Sequence, residues 1–134
     1  MTSKVVYQGD LRTECTHGQS GSSFITDAPV DNNGKGQAFS PTDTVATALG
    51  SCMLTIMGIK AAQMQLDIIG SYAEVVKTMA ADPRRISGIH IQLFMPEKIA
   101  DKERKILQNV ALACPVHKSL HPDMDKEIEF LWQL

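Results

Sequence analysis

The chain reads as an α+β domain in which antiparallel sheets pack around one long buried central helix. Three observations predict this. A marked helix start at Ser40 opens an apolar stretch that runs to about Leu66. Strand-like runs occur both before and after that stretch. A second, shorter helical repeat stands between two of the later strands. The expected order is βββ-α-ββ-α-β, with no internal repeat and no linker long enough to divide residues 1–134, so a single domain is expected.

The elements follow in order. Lys4 to Tyr7 is a β-branched run, Gln8-Gly9-Asp10 a turn, and Leu11 to His17 a second extended stretch. Gly18 to Gly21 turns the chain into a third strand, Ser22 to Thr26, which stops before Asp27-Ala28-Pro29. Asp31 to Gly36 is a polar loop with two glycines, but no Gly-Lys-Ser/Thr follows, which argues against a phosphate-binding loop. Ser40 then caps a helix with Pro41 in its first position and Asp43 three residues on, the spacing of a capping box. From Pro41 to Leu66 such a helix is roughly 39 Å long at 1.5 Å per residue. Gly50 and Gly58 weaken it, and their placement on one face suggests close packing of another backbone.

Beyond Asp67 the period changes. Ile69 to Met79 alternates loosely, Ala80 to Arg85 reads as a hairpin connection, and Ile89, Ile91, Leu93 and Met95 line one face of the next strand. Asp101 is expected to cap a helix that ends near Cys114, followed by one further turn over Val116 to Leu120. Lys126 to Leu134 closes the chain as a strand, with Ile128, Phe130, Trp132 and Leu134 on one face.

The whole-chain properties narrow the function. A formal net charge of −2 gives no reason to expect nucleic acid or an anionic membrane as partner. The opening residues lack the apolar segment of a secretory signal, so a cytoplasmic location with reduced thiols is expected. Val45 to Ile59 is short of the roughly 20 apolar residues of a membrane span, which leaves a helix buried in protein. Burying it on nearly all sides is hard for one small domain, and this points to a dimer.

Three cysteines at wide spacing do not form a secreted disulfide framework. Cys52 lies inside the apolar helix, and Cys114 ends the second helical pattern immediately before Pro115. If both point into one core, the simplest chemistry is thiol attack followed by a disulfide. The structural alternative for each is a small buried hydrophobe. Cys15, between Glu14 and Thr16 on an early strand, is read as structural, and the neighbouring His17 as a turn residue. A rival reading joins Cys114, His117 and His121, at spacings of three and four, into a zinc site with Cys52 as a fourth ligand. Met53, Met57 and Met64 either fill the core or line an adaptable apolar pocket beside Cys52.

Ser40-Pro41-Thr42-Asp43 opening a long apolar helix with Gly50-Ser51-Cys52, together with Cys114-Pro115-Val116-His117-Lys118, resembles the OsmC/Ohr family. That resemblance implies an intertwined homodimer with the long helices at its centre and the site near the subunit interface. It implies that Cys52 attacks an organic hydroperoxide and that Cys114 resolves the sulfenic acid as a disulfide. No bound cofactor or metal is implied; an external dithiol such as dihydrolipoamide restores the thiols. The family also uses a glutamate directly after the helix-opening proline, where this chain has Thr42, and an arginine, for which Arg12 in the early strands is the candidate. Asp43 is one helical step away from the glutamate position and serves the cap instead.

A nucleophilic cysteine must ionise, and an ordinary thiol near pKa ~8.5 is only a few per cent thiolate at neutral pH. Cys52 lies about three turns into its helix, beyond the reach of the helix dipole, so a cation has to assist: Arg12, Arg84 or Arg85. The expected function is thiol-dependent reduction of organic hydroperoxides. The alternative is a non-catalytic module of the same fold that binds a small hydrophobic ligand. A third reading, disulfide exchange with protein partners, requires an exposed thiol.

Overall fold

A computed structural model describes all residues, 1–134, which form two compact units, Met1–Val45 and Ala46–Leu134. The N-terminal unit is a three-stranded antiparallel sheet in the order β1 (Ser3–Gly9), β2 (Arg12–His17), β3 (Ser23–Asp27). Gly9 pairs with Arg12, so Asp10 and Leu11 alone make the first turn. Both have positive φ, 51° and 61°, as a two-residue turn matching the twist of the strands requires. The loop after β3 folds back over it. Asp27 N–H donates to Phe39 O at 2.9 Å, and a Cβ on Gly34 would fall 1.6 Å from Ala28 O, so only glycine fits there.

The long helix α1 spans Pro41–Gln63 and crosses from the first unit into the second. Its start is the capping box read from the sequence. Asp43 N–H donates to Ser40 Oγ at 3.1 Å, and Ser40 N–H donates to Asp43 Oδ2 at 2.8 Å. Its end falls three residues before Leu66. Gln65 enters the left-handed region at φ 57°, Leu66 N–H reaches Ala61 O at 2.9 Å, and Gln65 N–H reaches Ala62 O at 3.2 Å. These bonds satisfy the last carbonyls in a Schellman cap, a device normally built on glycine and therefore not visible in the sequence.

The C-terminal unit packs α1 against a second sheet, β4 (Tyr72–Ala80), β5 (Arg85–Met95) and β6 (Asp125–Trp132). Its fully buried side chains include Leu49, Met53 and Met57 of α1, Ile89, Ile91, Leu93 and Met95 of β5, Leu107 of α2 (Asp101–Leu112) and Cys114. The β4–β5 hairpin is antiparallel as expected, with Ala80 opposite Arg85. The strand β6 corrects the expectation of wholly antiparallel sheet, because it runs parallel to β5, with Ile91 beside Ile128. The physical reason is the connection. A chain that leaves β5 and crosses through α2 and α3 (Pro115–Ser119) returns to the same end of the sheet, so the next strand runs in the same direction.

By length and composition α1 could cross a membrane: its most apolar 18-residue window has a mean hydropathy of 1.5. Leu49, Met53 and Met57 nevertheless sit fully inside the core of the C-terminal unit. Only one face of the helix is covered this way. Val45 and Ile59 are 40% and 54% exposed, and Ala48 and Thr55 are exposed between them. The helix expected to be buried all round is thus buried along one side.

Candidate thiol site

Cys52 lies three turns into α1, one residue before the buried Met53, and is itself half-buried. Cys114 is fully buried in the core of the same unit. The two thiols are neighbours, close enough for Cys52 to raise the Cys114 pKa. The fold thus joins two residues that are sixty-two positions apart in sequence.

The local setting of Cys114 differs from the sequence reading. It does not close α2, whose last residue is Leu112 and whose C-cap is Ala113. It is the N-cap of α3, with extended backbone at φ −62° and ψ 149°, and its sulfur accepts the His117 N–H at 3.4 Å. Pro115 is then the first helical residue, a position where its missing N–H costs nothing. Asp101 is likewise not a cap: Ala100 holds that place in α2, and Asp101 lies in the first turn.

Burial pushes the Cys114 thiol above its ordinary pKa. The His117 backbone N–H opposes that rise, and the adjacent Cys52 thiol adds to it. The buried partner is therefore held as a neutral thiol, able to donate a proton. Burial also lowers the His117 imidazole pKa, with Lys126 and Lys118 acting in the same direction, which keeps that ring neutral.

The other candidate residues have separate settings. In the N-terminal unit, Arg12 Nη2 lies 3.3 Å from Asp27 Oδ2 and donates to Gln37 Oε1 at 3.2 Å. Asp27 is buried, and the Gln37 N–H together with Arg12 holds its carboxyl below the usual range against the opposing effect of burial. Arg12 also lines an open cavity of about 200 Å³ with Asp10 and Lys35. Arg85 is tied into its own turn by bonds to Ala81 O at 3.3 Å and Pro83 O at 3.0 Å, while Arg84 is an exposed residue of that turn. Thr42 Oγ1 lies 3.2 Å from Ser40 Oγ at the start of α1. Cys15 is half-buried in β2, 3.9 Å from Thr13 Oγ1, and lines a separate apolar cavity of about 330 Å³ with Val5 and Phe24. His17 holds its turn through Ser20.

The Cys114–His117–His121 zinc reading assumed one continuous helical face. Helix α3 ends at Ser119, and the exposed His121 ring accepts the Asp123 N–H at 3.1 Å beyond it. The geometry therefore breaks that set. Met53 and Met57 are core residues, and Met64 lies beyond the helix end, half-buried.

Comparison with known proteins adds the family context. A family model described as OsmC-like protein matches residues 34–129, a span that includes both cysteines of the pair. A crystal structure from Psychrobacter arcticus 273-4, provisionally named an osmotic stress induced and detoxification response protein, is 59% identical. It covers 97% of this chain and 95% of its own, with a TM-score of 0.94. An organic hydroperoxide resistance protein OsmC from Legionella pneumophila shares the fold at 14% identity, with 98% and 97% coverage and a TM-score of 0.76. The organic hydroperoxide resistance protein OhrB of Bacillus subtilis does so at 17% identity, with 97% and 98% coverage and a TM-score of 0.65. No curated protein matches the sequence.

Proposed function

The chain belongs to the OsmC-like protein family, and on that premise we propose that it is a thiol peroxidase that reduces organic hydroperoxides. The observation that carries the reading is that the fold makes the half-exposed Cys52 a neighbour of the buried Cys114, near enough to raise its pKa. The names of the Legionella and Bacillus proteins, which refer to organic hydroperoxide resistance, supply the substrate class.

The half-exposed Cys52 is the attacking residue. Its thiolate takes the distal oxygen of the hydroperoxide, the O–O bond breaks, and the alkoxide leaves as alcohol after taking a proton. Cys52 is then a sulfenic acid. The Cys114 sulfur attacks it, forming the S–S bond, and the thiol proton of Cys114 leaves with the sulfenic hydroxyl as water. An external dithiol such as dihydrolipoamide reduces that disulfide by two exchanges and departs as its own cyclic disulfide. The cycle is proposed to run in the cytoplasm, where thiols are kept reduced. Arg12 is the proposed cation that favours the Cys52 thiolate.

The working form is proposed to be a homodimer. Along α1, Val45, Ala48, Cys52, Thr55 and Ile59 follow one another at alternating spacings of three and four, and none is fully buried. That stripe suits the α1 helix of a second copy, packed as one helix on another.

Free-thiol titration and intact mass before and after one equivalent of an alkyl hydroperoxide test the chemistry. Loss of two thiols with a fall of about two daltons is expected, as two hydrogens leave on disulfide formation. Cys114→Ser should instead stop at a Cys52 sulfenic acid. Unchanged thiols in the wild-type protein would overturn the peroxidase reading.

A further inference from the structure

The solvent-side face of the C-terminal sheet carries a cluster that thiol chemistry does not use. Along β5 the buried Ile89, Ile91 and Leu93 alternate with His90 and Gln92, and along β6 the core-facing Ile128 separates Glu127 from Glu129. The parallel register sets His90 beside Glu127 and Gln92 beside Glu129. One donor atom from each of His90, Glu127 and Glu129 lies within 4.8 Å of the other two.

Two details separate this cluster from an ordinary patch of surface acids. His90 Nε2 is shielded from solvent and has no hydrogen-bond partner, although Glu129 Oε1 lies only 3.4 Å away. The His90 side chain is 35% exposed overall, and its shielded Nε2 is turned toward the Glu129 carboxylate without a formed hydrogen bond. The 3.4 Å separation also has a meaning of its own: a tetrahedral ion with bonds of about 2.0–2.1 Å sets adjacent ligand atoms about 3.3–3.4 Å apart. Gln92 Nε2 donates to Glu129 Oε2 at 2.8 Å, which fixes the carboxylate so that Oε1 faces the imidazole.

We propose that His90, Glu127 and Glu129 form a binding site for a divalent first-row transition ion of the zinc type. Imidazole favours such an ion over magnesium or calcium, and the two carboxylates balance its charge. Glu127 is exposed and closes on the ion by a side-chain rotation, while solvent supplies the fourth position. The ion would join β5 to β6, the parallel pair, on the face away from Cys52 and Cys114.

The test is calorimetric titration of Zn²⁺ into the full-length protein and into His90→Gln, Glu127→Gln and Glu129→Gln, each checked for folding by circular dichroism. The wild type should bind one equivalent that all three variants weaken by on the order of tenfold or more. Binding by the thiols would survive in these variants and vanish in Cys52→Ser/Cys114→Ser. If all saturable binding follows that pattern, or if the wild type binds no Zn²⁺ saturably, the site does not exist. Because Glu127 is exposed, its variant keeps the test valid should the His90 substitution disturb the sheet.

Discussion

Gly50 and Gly58 both interrupt α1, and the structure gives them opposite fates on substitution. A Cβ at Gly50 would lie 3.0 Å from Val75 Cγ2, 3.4 Å from Ala73 Cβ and 3.9 Å from Ile91 Cδ1. A Cβ at Gly58 would meet nothing within 4 Å. The shared close-packing face expected from their spacing is therefore real at only one of them, and there it is side chains of the sheet that approach. Alanine gains about 1 kcal/mol of helix propensity over glycine at either position. That gain cancels when the two variants are compared, so their difference isolates the overlap at Gly50. Val75 is branched and anchored in β4 opposite the buried Ile91, so it yields only by shifting the strand. Overpacking of this kind costs about 1–3 kcal/mol. Gly58→Ala should thus be stabilised by about 1 kcal/mol, and Gly50→Ala should lie about 1–3 kcal/mol below it. Urea unfolding of both variants at one protein concentration, with equal slopes, reads the difference directly. Equal midpoints would refute the packing argument. A Gly58→Ala variant as unstable as Gly50→Ala would mean that another copy of the chain packs on the Gly58 face.

Three further outcomes follow from the same physical reasoning. Ser40→Ala should cost about 1 kcal/mol in urea unfolding, because it removes the hydroxyl that accepts the Asp43 N–H at the start of α1. Gln65→Gly should raise the thermal midpoint, with a gain of up to about 1 kcal/mol, since a left-handed φ is strained for glutamine and open to glycine. Stability should also fall on acidification in two windows. The His117 pKa is depressed in the folded chain, so its contribution is complete above 6.5 and is lost as pH drops from there through the folded value. The Asp27 pKa is depressed as well, so its contribution persists to about 3.8 and is lost below. Urea midpoints across pH should show the upper window vanish in His117→Gln while the lower one remains.

The legible parts of the fold were those with a local cause. Ser40 and Asp43 marked the start of α1 because a capping box is a contact between residues three apart. The alternation of Ile89, Ile91, Leu93 and Met95 marked a buried strand face because the period of a strand is two. The end of α1 was hidden, since the left-handed cap falls on Gln65 rather than on a glycine. Cys114 was misplaced for a similar reason. Pro115 ends a helix and begins one equally well, and only the His117 N–H on the sulfur shows that Cys114 belongs to the start of α3.

By itself the sequence determined the α+β class and the start of the long helix, because propensity, capping and hydrophobic period act over a few residues. Tertiary structure alone decided that β6 runs parallel to β5, that Cys52 and Cys114 become neighbours, and that His90 faces Glu127 and Glu129. Those are contacts between residues far apart in the chain. They depend on the direction in which a crossover returns, which no local pattern encodes.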